Sequence, residues 1–149
     1  EDSCEVDHII VTPKNIYLIE TKYKSGTIQV TLDTEFWNVE GTKGTSVMRN
    51  AYRQATNSSR LLQRVFGLPP VTPLVVIVGD NLALANADKA QSVLRTEDLA
   101  NYIQGIEERT PSAMRDWRQW LEKLRASRST DPQVLDRHIQ RVRAKYGTT

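Results

Sequence analysis

Cysteine is nearly absent from this chain: Cys4 stands alone among 149 residues. No internal disulfide can form, and a zinc site built on cysteine is excluded. Histidine is almost as scarce, since only His8 and His138 occur, on what read as separate elements. That argues against a histidine-rich metal centre. Long apolar runs are missing too. No stretch approaches the roughly 18 apolar residues that a membrane span needs, and the acidic opening "EDSCEVD" is no secretory leader. Neither a G-x-S-x-G elbow nor a glycine-rich phosphate loop is present, so serine-nucleophile and P-loop or dinucleotide chemistry find no support. These absences fit a soluble chain in a reducing, cytoplasmic setting.

What is present is ordinary in amount but uneven in placement. Hydrophobic residues make up 39% and charged residues 26%, enough for one domain with a modest core. Residues 1–108 carry 10 Lys/Arg against 14 Asp/Glu, a net of −4, whereas residues 109–149 carry 10 against 4, a net of +6. A basic end of this kind suits an anionic partner, and equally a solvated helical face.

The apolar pattern changes period along the chain. Val6–Val11 and Ile16–Thr21 read as strands joined by the turn "TPKN". Strand and loop continue through "GTIQVTLDTEFWNVEG", and "GTKGTS" reads as a break. From Ser46 to Phe66 the spacing is helical, with Ser46 as the expected N-cap and Val47, Ala51, Ala55, Ser58, Leu62 and Val65 on one arc. "GLPPVTP" ends that helix. "LVVIVGD" is a strand covered on both faces, and "SVLRTEDLANYIQGI" is a short strand followed by a helix opening at Thr96. Two further helices are expected in the tail, one around Trp117, Trp120, Leu121 and Leu124, the other around Leu135, Ile139, Val142 and Tyr146. The order predicts a mixed α/β fold.

The first hairpin carries the chemistry. With an even loop, Val11 faces Ile16, Ile9 faces Leu18 and Asp7 faces Glu20, all on one side of the ribbon, with Lys22 next along it. Two acidic residues would then have their Cβ atoms about 5 Å apart at the end of an apolar stripe. Such a pair repels unless one acid keeps its proton, a cation side chain intervenes or a divalent metal binds. Lys22 offers one positive charge against two negatives. Mg²⁺ commonly takes one or two carboxylates and fills its remaining positions with water and phosphate oxygens. Acids at strand ends that simply face solvent would leave the same spacing.

The stretch "EVDHIIVTPKNIYLIETKYKSGTI" resembles the opening motif of the nuclease-related domain (NERD) family, within the PD-(D/E)xK nuclease superfamily. The likeness continues more weakly through "FWN", "YRQA", "VVIVGD" and "VLRTEDLANYI", and does not extend beyond Thr110. It implies a restriction-endonuclease-like mixed sheet flanked by helices, occupying residues 1–110, with a basic helical extension at 111–149. The family's helix and strand before this hairpin would be lacking here. By the same resemblance Asp7 and Glu20 are metal-binding acids, Lys22 is the catalytic lysine and the Thr21 carbonyl completes the ligand set. Gln54, in "YRQA", approaches them from the helix. The implied activity is Mg²⁺-dependent (or Mn²⁺-dependent) hydrolysis of DNA or RNA. The alternative is a catalytically inactive module that binds nucleic acid or docks protein, including other domains of a longer protein or a second copy in a homodimer.

Other candidates follow from placement. Arg49, Arg53, Arg60 and Arg64 would form a stripe on the helix face opposite the apolar arc, suited to phosphates or to solvent. Arg137, Arg141 and Lys145 on the final helix are further nucleic-acid candidates. His8 alternates away from Asp7 and is expected to be a satisfied core or supporting histidine. Trp117 and Trp120 read as core or interface residues before base-stacking ones.

Overall fold

The computed structural model describes residues 6–127. It divides the chain into two compact units, Glu1–Trp117 and Arg118–Thr149. The final-helix candidates Arg137, Arg141 and Lys145, and His138 with them, lie outside the described residues.

The first unit is a mixed α/β structure with two four-stranded sheets. In chain order the elements are β1 (His8–Val11), β2 (Ile16–Tyr23), β3 (Gly26–Gln29), β4 (Phe36–Gly41), β5 (Gly44–Arg49), α1 (Ala51–Phe66), β6 (Val71–Val78), β7 (Leu82–Ala85), β8 (Val93–Arg95) and α2 (Leu99–Arg109). A third helix is α3 (Trp117–Ala126). One sheet has the order β1-β2-β6-β8, the other β5-β4-β3-β7. β1 is antiparallel to β2, while β2, β6 and β8 are parallel. No helix among the described residues is long and apolar enough to cross a membrane.

The first sheet is buried on both faces, which is why Ile16, Tyr17, Leu18 and Ile19 follow one another without alternation. Tyr17, Ile19, Leu74 and Val76 pack against Leu99, Tyr102, Ile103 and Ile106 of α2. On the other side α1 packs on β2 and β6. Its buried residues are Ala51, Ala55, Ser59 and Leu62. Three small side chains in that set let the helix sit close to the strands.

The hairpin loop has four residues and is tied by its own threonine. The Thr12 hydroxyl accepts from the N–H groups of Lys14 (3.1 Å) and Asn15 (2.9 Å) and donates to Oε1 of Glu107 on α2 (2.7 Å). The Tyr17 hydroxyl donates to the same Glu107 oxygen at 2.9 Å. Pro73 stands inside β6 because its nitrogen faces the β8 side before β8 begins. Val75, two residues on, sends its N–H that way to the Ser92 carbonyl, at 2.8 Å.

Two parallel strand pairs run on from the first sheet into the second. β2 pairs with β6 and β3 with β7, and only Lys24 and Ser25 separate β2 from β3. At the bend the Lys24 N–H donates to the Val78 carbonyl at 2.9 Å. Gly79 is required there, since a Cβ would lie 1.7 Å from the Lys24 carbonyl oxygen.

Two expectations need correcting. "GTKGTS" is no break: Gly41 pairs with Gly44 across a two-residue turn, and β5 runs on to Arg49. The helix therefore starts later than its period suggested, and its N-cap is Asn50, not Ser46. Val47 is a strand residue and 60% exposed, and Val65 is exposed too; the buried arc is carried by Ser59 in place of Ser58.

Candidate metal and phosphate site

The register of the hairpin is the one an even loop dictates: Val11↔Ile16, Ile10↔Tyr17, Ile9↔Leu18 and His8↔Ile19. The ladder stops at His8, one residue short of Asp7. Asp7 does not form the next rung opposite Glu20. Instead its side chain turns to β2 at the following residue, where Oδ2 accepts from the Thr21 N–H at 2.8 Å. Asp7 is exposed, and Thr21 lies between the other two candidates.

Glu20 and Lys22 are two residues apart on one face of β2 and meet directly, Nζ to Oε1 at 2.8 Å. Their side chains are 15% and 30% exposed respectively, so the pair sits at the rim of the core. Glu20 is level with Val75 of β6, and Lys22 with Ile77. This is the face α1 covers, because the alternate residues of β2 and β6 pack on α2. Beyond Lys22 the ends of β2 and β6 open into a cleft of about 520 Å³, lined by Tyr23, Lys24, Ser25, Val78, Gly79 and Asp80.

Thr21 contributes backbone. Its N–H points to the β1 side to reach Asp7, and the N–H and C=O of a strand residue point the same way. The Thr21 carbonyl is thus on the side of Asp7, past the last rung of the ladder.

Gln54 is half-buried on the first turn of α1, and its Oε1 is buried without a hydrogen-bond partner. Buried amides are normally satisfied. The level it occupies follows from the far end of the helix, where Gln63 Oε1 accepts from the Val71 N–H at 2.9 Å. Nine helical residues back is about 13 Å, or about four strand residues along β6. An axis parallel to β6 would bring Gln54 to about the level of Val75.

Asn50, which sequence reasoning overlooked, fixes this end of the helix. It is 1% exposed. Its Oδ1 accepts from the Arg53 N–H (3.0 Å), while Nδ2 donates to the carbonyls of Thr31 (3.0 Å) and Thr34 (2.8 Å). The signal was an Asn directly before "AYRQA", but the apolar spacing had already placed the helix start upstream. The arginines separate. Arg53, Arg60 and Arg64 are exposed on α1, whereas Arg49 closes β5 and is not on the helix. His8, expected inside, is exposed.

The candidate donors are all oxygen, the Asp7 and Glu20 carboxylates and the Thr21 carbonyl, and Lys22 is paired with Glu20. That composition suits a hard divalent cation. Among the described residues no group of three or more His, Cys, Asp or Glu side chains could hold a metal. Asp7 and Glu20 would leave most coordination positions to water or substrate.

A family model described as the nuclease-related domain matches residues 1–78, more than half of the chain. Comparison with curated proteins and with solved structures gave no match.

Proposed function

The chain belongs to the nuclease-related domain family, and from that premise we propose that it is a divalent-metal-dependent nuclease that hydrolyses phosphodiester bonds of DNA. The observation that supports the reading is the sequence of contacts at the end of β2: Asp7 held on the Thr21 N–H, and Glu20, the residue before Thr21, paired with Lys22. Asp7, Glu20 and the Thr21 carbonyl would hold Mg²⁺ or Mn²⁺. When bound, such an ion polarises a phosphate oxygen and makes a coordinated water more acidic. Residues 1–110 would form the nuclease core, and residues 111–149 a basic extension.

The side chains have separable tasks. Lys22 pairs with Glu20 at 2.8 Å, which keeps a rim carboxylate from standing unpaired. With a phosphate present its ammonium group would offset negative charge growing on the phosphoryl oxygens. Gln54 brings an amide with an unused buried oxygen, suited to fixing a water that would otherwise wander. Arg49 and Arg53, both exposed near the start of α1, would meet backbone phosphates and make binding salt-dependent.

The test uses the 149-residue chain with supercoiled and linear DNA in Mg²⁺ and Mn²⁺. Asp7→Asn, Glu20→Gln and Lys22→Met should each lower cleavage by roughly 100-fold or more. Calorimetric titration with Mn²⁺ gives a readout apart from turnover, and Asp7→Asn should weaken that binding. A folded wild-type chain that binds DNA yet never cuts it with either metal refutes the enzyme. The surviving reading would be a nuclease-like binding or docking module.

A further inference from the structure

Among the described residues, no strand pairs with the outer edge of β5. β5 ends its sheet, and its register with β4 runs without a bulge from Phe36↔Arg49 to Gly41↔Gly44. Edge strands are usually blunted by proline, by charges along their length or by bulges. "GTSVMR" has no proline, and its one charge is at the last position. Every residue of it but Met48 is exposed.

Which backbone groups face outward can be read from one bond. The Asn50 N–H donates to the Glu35 carbonyl at 2.9 Å, continuing the β4–β5 register. Backbone groups alternate sides along a strand, so Met48 and Ser46 also address β4. Thr45, Val47 and Arg49 address the open edge. Their side chains share the solvent face of the sheet with Glu40, Asn38 and Phe36, their partners on β4. Val47 is 60% exposed and Phe36 is 45% exposed, unusual for apolar residues in a sheet.

We propose that β5 pairs antiparallel with β5 of a second copy of this chain, about a two-fold axis through Val47. In that register Val47 faces Val47, and Thr45 faces Arg49 of the other copy. All the outward N–H and C=O groups of these three residues then find partners in a continuous sheet. Charge selects the occupant. Glu40 lies beside Thr45, so Arg49 of the other copy stands two strands from Glu40, about 10 Å between Cβ atoms. Extended Arg and Glu side chains span that distance, and the axis makes the contact twice. An arbitrary extended segment would meet the backbone edge but not this paired charge.

Sedimentation velocity of the full 149-residue chain tests the pairing. Six-residue edges cover less than the ~1,200 Å² of a tight complex, so the dissociation constant should be on the order of 10 µM. Val47→Lys, at a site exposed in the single copy, should keep the circular dichroism spectrum and weaken the dimer at least tenfold. Arg49→Glu should also weaken it, and adding Glu40→Arg should restore it. A wild-type chain that stays monomeric up to about 0.5 mM, a dimer indifferent to Val47→Lys, or a charge swap that restores nothing would each overturn the proposal.

Discussion

Replacing Asn50 separates two tasks that one amide performs. Asn50→Ala removes the acceptor for the Arg53 N–H, a helix cap worth about 1 kcal/mol. It also removes the donor to the Thr31 and Thr34 carbonyls and, at 3.5 Å, to that of Leu32, and the first two do not count equally. The Thr31 carbonyl keeps the Trp37 indole N–H at 2.8 Å, so it stays bonded. The Thr34 carbonyl loses its 2.8 Å bond to Nδ2. Leaving it unpaired in a partly buried place costs about 1–2 kcal/mol. The sum is about 2–3 kcal/mol. Asn50→Asp sharpens the test, because Asp caps helices as well as Asn does. If capping were the whole task, Asp would be nearly neutral. The geometry instead aims a carboxylate oxygen at the Thr31 and Thr34 carbonyls in a site 1% exposed to solvent. Asn50→Asp should therefore be at least as damaging as Asn50→Ala at neutral pH. Urea unfolding of the three proteins measures both differences. An Asp variant within about 0.5 kcal/mol of wild type would refute the reasoning.

Gly79→Ala drives a methyl group into the Lys24 backbone, which cannot swing aside, and should cost about 3 kcal/mol or more in urea unfolding; a neutral result would mean that the two strand pairs do not approach so closely. Tyr17 makes stability fall in alkali. Burial first, and then the bonded Glu107 carboxylate, raise its phenol well above the usual 10.0. Above about pH 10 the unfolded chain ionises this group before the folded one does, so stability drops by up to about 1.4 kcal/mol per pH unit. Tyr17→Phe should cost about 1 kcal/mol at pH 7 and flatten that alkaline slope; an unchanged slope would place the titration elsewhere.

The hairpin was legible in the sequence because its information is local. A four-residue loop with a threonine and an asparagine at its ends fixes an even register, and alternation then puts Glu20 and Lys22 on one face. What lay beyond the sequence depends on distant backbone. Asp7 leaves the ladder because the Thr21 N–H is open to it, a choice no side-chain pattern records. The start of α1 was misplaced because Val47, Ala51 and Ala55 repeat every four residues, a spacing that satisfies a helix and also alternation along a strand. The parallel union of β3 with β7 joins segments more than 50 residues apart, and "LALA" alone gave no sign of it. Gln54 was expected to face inward, and its amide oxygen is buried.

The bend where Lys24 meets Gly79 has a mechanical consequence. Both parallel ribbons pass through it together, so displacing β3 and β7 would load the Lys24–Val78 hydrogen bond that ends the β2–β6 pair. Lys22 is two residues ahead of that junction. A force applied to the second sheet, such as the pull of a bound strand or of a neighbouring copy, would travel down the chain to the ammonium group with little slack to absorb it.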